Sequence, residues 1–353
     1  MSGTIRPAGE EVRSYILRNI SKPGLAAKIS EKFGITRQAA NRHLRQLVIE
    51  GAIRASGKTQ SREYRLANTT KQDFEYAIVP DLDEDLVWRV DIRPLLANLP
   101  QNVIEIWHWA FTEMFNNAID HSEGQAISVE VKKTAIDAQI MIVDNGVGIF
   151  KKLKKRFDLE DERQALLELS KGKLTTDPKK HSGQGIFFTS RMVDSFRIFS
   201  GETYFTHDNK SDDDWFLDAS ELSSTGTGVV LSVSNHTSRT TRKILSQFSV
   251  DGSYGFNKTI VPVELARYGT DQLVSRSQAK RVLARVDQFS QVLLNFTGVD
   301  EIGQAFADEI FRVFASEHPD IEILPIHANK NIMGIYQAAL KSGRPGFKGK
   351  KDK

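Results

Sequence analysis

Hydrophobic positions recur along the chain with periods that separate helices from strands. Val12, Ile16, Leu17 and Ile20 lie three and four apart and predict a helix over 11–20, which Pro23-Gly24 breaks. Leu25, Ile29 and Phe33 predict a second short helix. Gly34-Ile35-Thr36 makes a tight turn, with Thr36 placed to cap a third helix over 37–51 whose inward residues are Ala40, Leu44, Leu47 and Val48. Residues 52–56 and 62–66 read as two strands around Gly57-Lys58-Thr59-Gln60. Residues 69–100 read as a connector, acidic over 81–85 and interrupted by Pro80, Pro94 and Pro100. Its Trp88 and Leu95-Leu96 predict that it packs on the next domain.

The longest helical pattern covers 104–121, where Trp107, Phe111, Met114, Phe115 and Ala118 share a face. Strands are predicted next at 127–131 and 136–143, then a helix over 160–169 and another from Gly185 to about 193. Further strands are predicted at 194–199 and 229–233, with a polar hairpin tip over 209–215 between them. Asp212, Asp213 and Asp214 at that tip read as a solvated turn in preference to a cation site. Gly252 and Gly255 break the pattern. Beyond them strands at 258–263, 292–294 and 321–326 alternate with helices over 275–285, 302–314 and 331–340, which indicates a small α/β domain. The basic stretch 341–353 reads as a disordered tail.

Candidate chemistry sits at three places in the middle third. Glu113 and Asn117 are four residues apart and project from one helix face. A carboxylate there can take a proton from an attacking water, and an amide oxygen one turn on can complete a magnesium shell made mostly of phosphate oxygens. Asp144 ends an apolar strand and is followed by Gly146 and Gly148, which let the backbone turn close to a ligand. Gly183-Gln184-Gly185 opens a helix, where exposed backbone N–H groups suit a phosphate. Taken singly, each is also an ordinary feature: a solvated helix face, a turn after a core strand, a glycine pair. The Gly-x-x-x-x-Gly-Lys-Ser/Thr phosphate loop is absent from the sequence.

In order and spacing these pieces resemble the GHKL ATPases, the family of gyrase-type topoisomerases, ninety-kilodalton heat-shock chaperones, mismatch-repair ATPases and sensor histidine kinases. The resemblance covers about 104–233. It implies Glu113 as general base, Asn117 as magnesium ligand and Asp144 as the acceptor for the adenine amine, with Gly146 and Gly148 shaping that loop. It also implies Gly183, Gln184 and Gly185 against the phosphates, and Thr227 of Gly226-Thr227 supporting adenine recognition. The lid would span 150–182, where Lys171, Lys173, Lys179 or Lys180 could reach the γ-phosphate, Lys173 being the one assigned. The implied cofactors are ATP and Mg2+. The helix around Glu113 also looks like that of anti-sigma serine kinases. The run 294–308 resembles the STAS-like fold of anti-anti-sigma factors, although Ile302-Gly303-Gln304-Ala305 carries no hydroxyl and Thr297 is the nearest phosphoacceptor candidate.

The 353 residues fit two or three domains, and 40% hydrophobic with 26% charged residues is a globular composition. There is no cysteine, hence no disulfide and no thiolate metal site. No long apolar run or secretory leader is visible, which predicts a cytoplasmic protein without membrane partners. Charge is uneven: residues 1–66 hold 13 Lys+Arg against 5 Asp+Glu, on a chain whose net charge is only +3. Three helices and a basic hairpin resemble a winged helix-turn-helix. Arg37, Gln38, Asn41, Arg42 and Arg45 on the third helix, with Lys58 and Arg62 in the hairpin, suit base edges and phosphates of double-stranded DNA; a protein-interaction module is the alternative.

The expected fold class is multidomain α+β: a winged helix over 1–68, a connector over 69–100, a GHKL α/β sandwich over 101–240, a small STAS-like α/β domain over 250–340 and a tail over 341–353. The expected function is an ATP-binding, ATP-hydrolysing DNA-binding regulator in which Mg-ATP switches domain arrangement or homodimerisation. The alternative is a serine/threonine protein kinase acting on a STAS-type or sigma-type partner or on its own STAS-like domain.

Overall fold

The computed structural model describes residues 9–57, 62–175, 182–209, 216–250, 255–267 and 272–343. Lys58, Lys179, Lys180, Asp212, Asp213, Asp214 and the tail from 344 onward lie outside the described residues.

The N-terminal unit has its own core. Helices α1 (Gly9–Arg18), α2 (Leu25–Phe33) and α3 (Arg37–Ile49) bury Val12, Ile16, Ile29 and Leu44 against one another. Strands β1 (Ile53–Ser56) and β2 (Glu63–Leu66) pair antiparallel, with Ile53 opposite Leu66. Gly34, at φ +61, ends α2 in the left-handed conformation, and the Thr36 hydroxyl accepts from the Ala39 amide to start α3. The unit's core touches the rest of the chain through Ala135 and Ile136.

The segment 69–100, read as a connector that packs on the next domain, also supplies a strand to that domain's sheet. Strand β3 (Thr70–Ala77) pairs antiparallel with β4 (Ala126–Lys133) and forms one edge of a five-stranded sheet, in the order β3-β4-β5-β7-β6. As an edge strand it needs few apolar residues: Phe74 and Tyr76 face inward, and Tyr76 meets Phe115 edge-on at 5.4 Å. A helical stretch comes next, made of α4 (Glu84–Val87), a π turn and α5 (Arg93–Leu96), and it buries Trp88 against Phe111. It lies on the sheet's covering helix, α6 (Gln101–His121).

Strand β5 (Asp137–Asp144) alternates buried Ala138, Ile140 and Ile142 with half-buried positions, as does β4 with Ile127, Val129 and Val131. The buried face is covered by α6, α7 (Ile149–Phe157), α8 (Glu162–Lys171) and α9 (Gly185–Met192). The long hairpin of β6 (Ser195–Asp208) and β7 (Phe216–Ser234) completes the two-layer sandwich.

The end of α9 is held tightly. Asn209 Nδ2 donates to the carbonyls of Ser190 and Val193 at 2.9 and 2.6 Å, and Arg239, paired with Asp194 at 3.1 Å, also donates to Val193. His207 is bonded to Asn209 beneath this cap. Burial, with the charges of Arg191 and Arg239, pushes its imidazole down to about 3. The neutral ring is therefore the form the fold prefers. Its contribution is complete above the unfolded value near 6.5 and is lost as pH falls from there toward 3. Unfolding free energies from denaturant titrations at pH 7.5 and pH 5 are expected to differ by on the order of 2 kcal/mol from this group, and His207→Gln should remove that share of the difference.

A short helix α10 (Thr241–Ser246) leads to the C-terminal domain. Its strands β8 (Lys258–Pro262), β9 (Gln291–Asn295) and β10 (Glu322–Ile326) are parallel in the order β10-β9-β8, with crossovers through α11 (Arg276–Leu283) and a helix running from α12 (Gln304–Asp308) into α13 (Ala315–Glu317). Helix α14 (Lys330–Gly343) closes it. One hydrophobic core runs without a break from the five-stranded sheet into this domain. Its seam is aromatic: Phe187 and Phe188 of α9 meet Phe256 at 4.5 and 4.9 Å, and Phe256 meets Phe289 at 5.1 Å.

Candidate functional site

A cavity of about 260 Å³ opens between α6, the β5–α7 turn, α8, the start of α9 and β7. Glu113 and Asn117 enter it from α6, Asp144 from the end of β5, Gly183, Gln184 and Gly185 from the start of α9, and Thr227 from β7. Ile142, Ile198 and Val229 give it an apolar floor.

Asp144 is 5% exposed. Its Oδ1 accepts from the Gly146 and Thr227 amides at 2.9 and 3.2 Å. Burial pushes the carboxyl up, while these donors and the Thr227 hydroxyl pull it back. The Thr227 hydroxyl also accepts from the Ile149 amide at 3.0 Å, which ties β7 to the start of α7. A Cβ on Gly226 would lie 2.0 Å from the Asp144 carbonyl oxygen, so only glycine lets Thr227 come this close. Gly146 and Gly148 shape the turn behind Asp144, where the Val147 amide donates to the Ser122 carbonyl at 2.9 Å.

Glu113 faces the first turn of α9. A Cβ on Gly185 would lie 2.3 Å from Glu113 Oε2, so the glycine is what leaves room for the carboxylate beside the helix N-terminus. Asn117 stands one turn further along α6 and half-buried. Its amide oxygen fits a magnesium ion that takes its remaining ligands from phosphates and water.

Of the lid lysines, Lys171 and Lys173 are described, and neither lines this cavity. Lys171 is 1% exposed: its ammonium pairs with Glu168 at 2.6 Å and donates to the carbonyls of Arg281 and Ala284 at 2.9 and 2.8 Å. It joins α8 to the end of α11 and cannot face a phosphate in the cavity. Lys173, expected at the phosphates, donates to the Gln288 carbonyl at 2.6 Å and lies over the Phe289 ring at 4.4 Å. It lines an adjoining cavity and not the main one. Their carbonyl acceptors lie more than a hundred residues along the chain, beyond the reach of any local pattern. Lys152 of α7, which carries no motif in the sequence, does line the main cavity. Its ammonium donates to the His121 carbonyl and pairs with Glu123, each at 2.8 Å. The spacing of Phe150, Leu153 and Phe157 marks α7 as a helix, but nothing in its run of cations singles out Lys152.

On the N-terminal unit, Arg37, Gln38, Asn41, Arg42 and Arg45 are all exposed along α3. Arg62 is exposed at the hairpin, over the Tyr64 ring at 5.7 Å. Among the described residues no helix is long and apolar enough to cross a membrane.

A family model described as a histidine kinase-like ATPase domain matches residues 88–205. A second, described as a STAS-like domain of unknown function, matches residues 278–333. No curated protein sequence matches the chain. Among solved structures, an IcIR transcriptional regulator from Alicyclobacillus acidocaldarius is similar at 14% identity and a TM-score of 0.20, covering 64% of this chain and 87% of that one, a likeness too low to carry an argument. The first match holds Glu113, Asp144 and Gly185 but stops short of β7 and Thr227. With most of the cavity's lining inside the first match and the parallel sheet around the second, the chain carries a histidine kinase-like, GHKL-type ATPase domain followed by a STAS-like domain.

Proposed function

We propose that the protein is an ATP-hydrolysing regulator that binds double-stranded DNA through its N-terminal unit, read as a winged helix. The observation that carries the nucleotide part is the convergence of Glu113, Asn117, Asp144 and Thr227, from three separate elements, on one cavity. Asp144 accepts the exocyclic amine of adenine, and Thr227 holds that carboxylate in place. Gly183, Gln184 and Gly185 lie along the phosphates at the start of α9. Magnesium, held through Asn117, neutralises phosphate charge when bound. Glu113 takes the proton of the attacking water.

Helix α8 links this site to the STAS-like domain through Lys171, so a lid that closes over ATP carries that domain with it. ATP thus acts as a switch on domain arrangement. Titration calorimetry tests the adenine assignment: Asp144→Asn is expected to weaken MgATP binding about 10-fold or more, as a buried charge-assisted bond is lost. Unchanged affinity would remove Asp144 from the adenine site.

The DNA part rests on the exposed polar face of α3 and the excess of cations in residues 1–66. Arg42→Ala and Arg45→Ala should each weaken duplex binding at all sequences and lower the salt slope by about 1 if they contact phosphates. Gel shifts across a salt series measure this. Binding that ignores both substitutions would turn the unit into a protein-docking module.

A further inference from the structure

A second cavity, of about 350 Å³, adjoins the nucleotide cavity and shares Thr175, Ser182 and Gln184 with it. Its other described walls bring together Arg156 of α7, Lys173 after α8 and Arg285 after α11, and no acidic residue is among them. Two of the three cations belong to the ATPase domain and one to the STAS-like domain.

Each cation is placed with care. Lys173 and Arg285 both sit in the left-handed region, at φ +56 and +62. They are two of only five non-glycine residues there among the described residues, a backbone region unfavourable to side chains of this size. They also hold one another, Arg285 Nη2 donating to the Lys173 carbonyl at 3.2 Å. The Lys173 ammonium meets only neutral groups in the described structure, a carbonyl and the rings of Phe289 and Phe256. Partial burial holds its pKa below the ordinary value. Glu168 lies 3.7 Å from Arg285 but is also engaged by Lys171 at 2.6 Å. Among the described residues, cations therefore outnumber their carboxylate partners around this cavity.

We propose that this vestibule is an oxyanion site for a phosphate-class group, completed by Arg285 of the STAS-like domain. Two sources share that chemistry: the terminal phosphate of a nucleotide in the neighbouring cavity, or a separate phosphate-bearing molecule. The first deepens the proposed function and rests on it, because the STAS-like domain would then sense whether the nucleotide is a triphosphate.

Calorimetry on the full chain, with a non-hydrolysable ATP analogue, with ADP, and with pyrophosphate added to ADP-loaded protein, tests this. The variants are Arg285→Gln, Lys173→Asn, which keeps a residue tolerant of positive φ, and Arg156→Gln on an exposed helix face. A loss of 10-fold or more for the analogue in the variants, with ADP affinity held within 2-fold, supports the site and names the nucleotide tail as its source. An unchanged preference between nucleotides, with pyrophosphate binding present in the parent and lost in the variants, supports the site with a separate anion. Equal losses for both nucleotides with pyrophosphate binding absent or unchanged, or no change in any titration, overturn it. A parent protein that binds pyrophosphate but no nucleotide would sink the ATPase reading and leave the vestibule standing.

Discussion

Glu113→Gln is expected to slow phosphate release about 10²- to 10⁴-fold and to leave MgATP affinity within a few-fold. The reason is geometric. Glu113 reaches the cavity beside the first turn of α9, where the proposed function puts the phosphates, while Asp144 and Thr227, its proposed adenine contacts, enter from β5 and β7. Glutamine keeps the volume and the hydrogen-bonding reach but cannot accept the water's proton. A split between chemistry and binding is thus the signature of a general base. γ-Labelled ATP makes the test complete, since free phosphate and label on protein are read together. Loss of free phosphate in the variant supports hydrolysis. Label appearing on protein in the parent, at Thr297 or on an added STAS-type partner, would instead make the chain a kinase. Full activity in the variant would end the assignment of Glu113.

Glu168→Ala is expected to destabilise the fold by about 3–5 kcal/mol, the cost of stranding a buried ammonium. Glu168 and Lys171 are 2% and 1% exposed, and the pair lies on the seam between α8 and α11. Burial drives the Lys171 pKa down and Glu168 opposes it. Without Glu168 the lysine keeps its two carbonyl acceptors but loses its counter-charge, with Arg285 nearby adding repulsion. The double variant Glu168→Leu with Lys171→Met should recover much of the loss, because both charges go at once and apolar side chains of similar size replace them. Chemical denaturation of the parent, the single variant and the double variant measures the coupling. A single variant within 1 kcal/mol of the parent would mean that the pair is not buried in solution.

Much of the site was legible because its geometry is local. Glu113 and Asn117 share one face of an amphipathic helix and Asp144 ends an apolar strand ahead of glycines; ordinary singly, they stand out by order and spacing together. The pattern also marked the alternation that becomes the parallel sheet β10-β9-β8. What escaped was set by distant partners. Strand β3 has only Phe74 and Tyr76 to show, because an edge strand with one solvated face buries little and its ladder is supplied by β4. The lid lysines looked alike in sequence. Only the fold sends Lys171 to the end of α11 and Lys173 to Gln288, across separations of 110 and 115 residues.

The unbroken core between the sheet and the C-terminal domain has a bearing on modularity. Sequence families divide this region into two pieces, 88–205 and 278–333. The packing does not: Phe187, Phe256 and Phe289 form a single aromatic seam, and α8 rests on β8. A chain cut after β7 would therefore expose that seam and lose its lid support. The N-terminal unit, with a core of its own, is the detachable part. Removing the head would leave the packing of the rest largely intact, while the ATPase and STAS-like halves share one core and stand or fall together.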